Sequence, residues 1–216
     1  MIEKTERKTI FNQHKTSASE VSEIQKVIYH NDDLELFESE AERNDYLSQF
    51  DLLEESVDYH ESLHTVLAFD YSELKTYPAE LSRRLTALFA NLDVTDLMVL
   101  GHLKMNFFGN LETDHSDLKK AYSDLKQIVG TDYYDEGFKI GIQDLETFIP
   151  IVFWMQRIDT CAPEFIFFFD DKNRFSFYIC NSGNVHILSY NNELFNSAFL
   201  ERHHLKTVDQ CATNFV

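Results

Sequence analysis

The sequence predicts an α+β fold: an antiparallel sheet, including a C-terminal three-stranded meander, packed with several amphipathic helices. Three observations predict it. Apolar residues alternate with a period of two in several short stretches, and recur at helical spacing in others. Nineteen Phe and ten Tyr among 216 residues supply a large aromatic core. Only six Gly and three Pro leave little material for long irregular loops. No repeat or low-complexity linker interrupts the chain, so residues 1–216 read as one domain carrying an acidic segment at 31–61.

Taken in order, Ser17 and Glu20 make a capping-box pattern ahead of Val21, Ile24 and Ile28, which predicts a first helix. A short helix around 40–50 follows within the acidic segment. From Val57 the period changes to two, with Val57, Tyr59, Leu63, Leu67, Phe69 and Tyr71 on odd positions, and HTVLAFDY reads as a strand. Thr76 as a cap, Pro78 in a first turn and the series Leu81, Leu85, Leu88, Phe89, Leu92 predict a helix. LMVLGHL (97–103) is then a strand candidate, completing a strand–helix–strand unit. Ser116 opens another amphipathic helix through Leu118, Ala121, Tyr122, Leu125 and Val129, which Gly130 stops. FIPIVFWMQRI is apolar all round and predicts a buried helix with Pro150 in its first turn. EFIFFF, RFSFYIC and NVHILSY, separated by DDKN and NSG, predict an antiparallel meander over 164–190, with Phe165 to Phe169 covered on both faces. Asn192 is the expected cap of a final helix bearing Leu194, Phe195, Ala198 and Phe199.

Charge is the most informative functional feature. Residues 31–61 hold twelve Asp and Glu against one base, Arg43, which gives −11 of the chain's net −18. A field so concentrated attracts cationic partners and repels phosphate, so a basic protein partner is expected and nucleic acid is not. The expected partner-binding residues are Asp32, Asp33, Glu35, Glu38, Glu42, Asp45, Glu54, Glu55 and Asp58. Cys161, Cys180 and Cys211 form no Cys-x-x-Cys and suggest reduced thiols. The charged N-terminal stretch has no signal-peptide pattern, and the longest apolar run (148–155) is too short for a membrane span. A cytoplasmic location without membrane attachment is therefore expected, and no cofactor.

One catalytic pattern occurs. His60-Glu61-Ser62-Leu63-His64 spells H-E-x-x-H, which on a helix sets two imidazoles one turn apart to hold zinc while Glu61 acts as base. Its context is poor: Asp58 charges the preceding turn, Leu67 stands where the longer motif has glycine, and Asp70 where it has a third ligand. Glu73 and Glu80 lie in no ligand pattern. In a strand, moreover, His60 and His64 are about 13 Å apart at ~3.3 Å per residue, too far to share one ion. The bland explanations also suffice elsewhere: a helix end for His203 and His204, turn geometry for Asp170 and Asp171, core or strand packing for Cys161 and Cys180. There is no G-x-G-x-x-G, Walker loop or G-x-S-x-G. The expected function is that of an acidic cytoplasmic binding protein that inhibits a basic partner. Toxin-immunity proteins are similar as a class, being compact, acidic and free of catalytic motifs. The alternative is a zinc-dependent hydrolase built on residues 60–64; the dullest reading makes the acidity a solubilising face.

Overall fold

The computed structural model describes residues 1–53, 61–191 and 194–211. Its centre is an eight-stranded sheet with the order β1-β4-β3-β5-β6-β7-β2-β8, where β1 is Ile2–Thr5, β2 Leu63–Ala68, β3 Asp96–Gly101, β4 Gly137–Gly141, β5 Ile166–Asp170, β6 Phe175–Ile179, β7 Val185–Ser189 and β8 Lys206–Val208. Every neighbouring pair is antiparallel. The predicted meander is present: Phe168 pairs with Phe177, and Phe177 with Ile187.

Strand alternation splits the core into two layers. Leu97 and Val99 of β3, Phe138 and Ile140 of β4, and Ile166 and Phe168 of β5 face the larger cluster, which includes apolar residues of α4 (Tyr77–Ala90), α5 (Ser116–Val129) and α6 (Leu145–Ile158). Met98, Leu100, Phe167 and Phe169 face the other side, where Ile10 and Phe11 of α1 (Arg7–Gln13) and Ala18 and Val21 of α2 (Lys15–Ile28) cover them. Central strands apolar on both faces follow from being sandwiched between helices. Phe165 to Phe169 was the sequence's plainest sign of this arrangement. Gly137 belongs to the same packing, because a Cβ there would meet Ile10 Cδ1 at 2.5 Å and Leu100 Cδ2 at 2.8 Å.

Several local expectations are corrected. Ser17 is no cap: α2 begins at Lys15, directly after α1, and Ser17 is completely buried inside it. Packing of the α1–α2 pair on the sheet sets that boundary. The capping box lies instead at Ser39 and Glu42, at the start of α3 (Glu40–Ser48), where each side chain accepts a hydrogen bond from the other's backbone N–H. Thr76 precedes α4 as expected, but its hydroxyl bonds Glu73 rather than the helix. Pro150 falls in the second turn of α6, since the helix already starts at Leu145 after a 3-10 turn over Ile142–Asp144. Asn196, not Asn192, caps the last helix α7 (Ser197–Arg202), accepting from Phe199 N–H at 3.0 Å; Asn192 lies outside the described residues. Leu194 and Phe195 pack on the core ahead of that helix. β2 and β3 are not neighbours: β5, β6 and β7 lie between them.

Among the titratable groups buried beside the sheet and the α1–α2 layer is a histidine. His102, just after β3, is only 4% exposed, and burial holds its pKa down at about 4. The unfolded imidazole takes up a proton near 6.5, whereas the folded one resists until about 4. Its contribution to stability is therefore complete above pH 6.5 and is lost as pH falls from 6.5 towards 4. Unfolding in urea at pH 7 and pH 5 is expected to show a loss of about 2 kcal/mol from this group alone. In His102→Gln the pH dependence should flatten by that amount; an unchanged slope would remove His102 as its source.

Candidate functional site

Among the described residues, the acidic segment contains a 3-10 helix over Asn31–Leu36 and α3, neither of which contains a buried residue. It is held from beneath by aromatic rings. Phe50 is 7% exposed, with its ring centroid 5.3 Å from Tyr29 and 5.0 Å from Tyr46, and Phe37 lies 5.2 Å from Tyr46. This is why a short, acid-rich stretch stays folded: the rings fix it from one side and the capping box fixes its helix. At its end, Asp51 is gripped by Arg7, whose Nε and Nη2 donate to the carboxylate at 2.7 and 3.2 Å.

Asp32, Glu35, Glu38, Glu42 and Asp45 are exposed, and Asp33 is half-buried, accepting from the Tyr46 hydroxyl at 3.1 Å. Glu54, Glu55 and Asp58 lie outside the described residues. Among the described residues, no Lys or Arg forms an ion pair with Asp32, Asp33, Glu35, Glu38, Glu40, Glu42 or Asp45. Hydrogen bonds from the backbone of Ser39 and from its side chain lower the pKa of Glu42, so its charge persists in mild acid. Two apolar side chains of the same stretch are exposed, Leu36 at 77% and Leu47 at 36%.

The H-E-x-x-H segment is divided. His60 lies outside the described residues, Glu61 and Ser62 precede β2, and Leu63 and His64 are its first residues. Residues 61–64 therefore lack the helical turn that the zinc reading needs. His64 instead sets its Nε2 3.0 Å from Nδ1 of His186 on β7.

That contact leads to a second cluster, outside both sequence-based sites. Cys180 follows β6 and His186 lies on β7, on either side of a tight hairpin in which Gly183 N–H donates to Cys180 C=O at 2.8 Å. Gly183 takes φ 85°, a left-handed conformation that glycine tolerates. Pairing of β8 with β2 brings Cys211 alongside: its Sγ is 3.1 Å from His186 Nε2 and 3.9 Å from Cys180 Sγ. The Tyr178 ring stacks on His186, with centroids 4.5 Å apart. Burial, reinforced by His64, holds the His186 imidazole low, at about 4, and burial together with Cys180 raises the Cys211 thiol. Cys180 also lines a cleft with Asp159, Phe165 and Tyr178. A cysteine and a histidine flanking an Asn-Ser-Gly turn were a readable signal; Cys211 carried none, because only the β8–β2 pairing brings it near. Cys161, expected in core or strand, is exposed after α6.

No family model, curated protein or solved structure matches this chain. No helix among the described residues is long and apolar enough to cross a membrane.

Proposed function

We propose that this chain is an acidic binding protein that captures and neutralises a basic protein partner, in the manner of a cytoplasmic inhibitor of the immunity-protein kind. The supporting observation is the largely exposed segment 31–48, whose carboxylates have no lysine or arginine ion pairs among the described residues and which also exposes Leu36 and Leu47. Carboxylates this dense repel one another, and a cationic surface relieves that repulsion on docking. The two leucines offer such an interface apolar contact, and the acids give it orientation and speed. The zinc-hydrolase reading of residues 60–64 has no comparable observation in its favour.

Affinity capture at low and at high salt, followed by binding kinetics on the captured partner, tests this reading. The partner should be basic. Reversing Asp32, Glu35, Glu38 and Asp45 together to Lys should slow association by about tenfold or more, with a smaller change in dissociation. Glu42 is left in place because it caps α3. An acidic partner, or binding indifferent to both salt and charge reversal, would leave the segment as a solubilising surface only.

A further inference from the structure

We propose that Cys180, His186 and Cys211 form a zinc(II) site in which His64 orients the imidazole ligand. This goes beyond the binding role of the acidic segment and stands independently of it. The three donor atoms, two sulfurs and one ring nitrogen, all lie within 4.8 Å of one another. Zinc–thiolate bonds of about 2.3 Å in a tetrahedron put the two sulfurs about 3.8 Å apart. The Cys180 and Cys211 sulfurs are 3.9 Å apart. A disulfide between them would require the sulfurs to close to about 2.05 Å, and would give the converging histidine nothing to do.

The arrangement around His186 supports ligation. One ring nitrogen, Nδ1, faces His64 Nε2 at 3.0 Å, and the other, Nε2, faces Cys211 Sγ at 3.1 Å. With the proton on Nδ1 and donated to His64, the lone pair on Nε2 points to the sulfurs. An outer partner of this kind fixes both tautomer and ring direction in zinc sites. The stacked Tyr178 ring holds the imidazole plane. Two ligands come from the β6–β7 hairpin and the third from the segment after β8, so the ion would fasten that segment to the sheet. Binding converts two thiols to thiolates and releases two protons to solvent, while the neutral imidazole binds without proton loss. The fourth coordination position is left to water or another ligand. This set uses His64 as a neighbour of the ligand, unlike the H-E-x-x-H pattern, where it would be a ligand itself.

The test uses the full chain, stripped with a chelator under a phosphine reductant and titrated with zinc alone, then with cobalt(II) as a spectroscopic substitute. The expected result is one equivalent bound, a raised thermal midpoint, and the visible and thiolate charge-transfer bands of tetrahedral cobalt. Cys180→Ser and Cys211→Ser should each lose the charge-transfer intensity contributed by one thiolate and weaken zinc binding at least tenfold. Cys161→Ser should change nothing. His64→Gln should keep the stoichiometry but weaken binding about tenfold, the usual effect of removing an outer partner. Cys211 is exposed, so its serine variant should keep the circular dichroism of the parent. Absence of stoichiometric binding, or binding unaffected by Cys211→Ser, overturns the proposal. So does loss of two hydrogens on mild oxidation of a chain that binds no zinc, which would make Cys180 and Cys211 a redox pair.

Discussion

Replacing Arg7 by Met is expected to destabilise the protein by about 3 kcal/mol or more, although the aliphatic part of the side chain is kept. The Arg7 side chain is 2% exposed and uses three nitrogens: two on Asp51, and Nη1 on the Gly101 carbonyl at 2.8 Å. Gln25 completes the network, donating to Asp51 at 2.8 Å and to the His102 carbonyl at 3.0 Å while accepting from Leu52 N–H at 2.9 Å. Removing the guanidinium leaves a carboxylate and a carbonyl without their charged donor in a site where water has little access. The cost comes from those stranded groups more than from the lost attraction. Asp51 is 22% exposed and can recover some solvation, which sets the expectation at the lower end of the range for buried pairs. Urea unfolding measures it, and the Arg7→Met, Asp51→Leu double variant should regain part of the loss. A loss under 1 kcal/mol would show that the network contributes little.

A second large effect is expected at Asp170. It is completely buried at the end of β5, and Arg174 reaches back across the turn to hold it with Nε at 2.7 Å and Nη2 at 2.8 Å. Arg174 N–H adds a third bond, and its Nη1 donates to the Leu92 carbonyl at 2.6 Å. The pair thus locks the β5–β6 turn and ties it to the end of α4. Asp170→Ala should cost about 3–5 kcal/mol, because it strands the guanidinium and opens the turn at once. Arg174→Ala should cost a similar amount and the double variant much less than the sum, as coupled partners require. Additive losses would show that the two side chains act separately.

Asp170 also shows where reading the chain alone runs out. An Asp beside a turn was legible, but its burial depends on β3, which pairs with β5 from the far side. Helices α4, α5 and α6 and the β5–β7 meander were legible because their signals are local: apolar periodicity, Pro near a start, Gly130 at an end, turn residues between strands. Strands β1, β4 and β8 were not, since no hairpin turn joins them to a neighbour and long-range pairing decides their state. The acidic residues of the candidate surface were visible from composition. The cysteine–histidine cluster was not, because it exists only once β8 lies beside β2.

That pairing has a consequence for the chain as it is made. Strand β2 finds Val66 opposite His186 on one side and Leu67 opposite Thr207 on the other, so both of its partners are translated long after it. At roughly 5–20 residues per second, β2 waits on the order of ten seconds with its hydrogen-bonding edges bare. The segment ahead of it carries a net −11 over residues 31–61. Charge placed beside a bare strand edge disfavours edge-to-edge pairing between chains. The same carboxylates proposed to recruit a partner in the folded protein thus also stand directly ahead of a strand whose partners are made late.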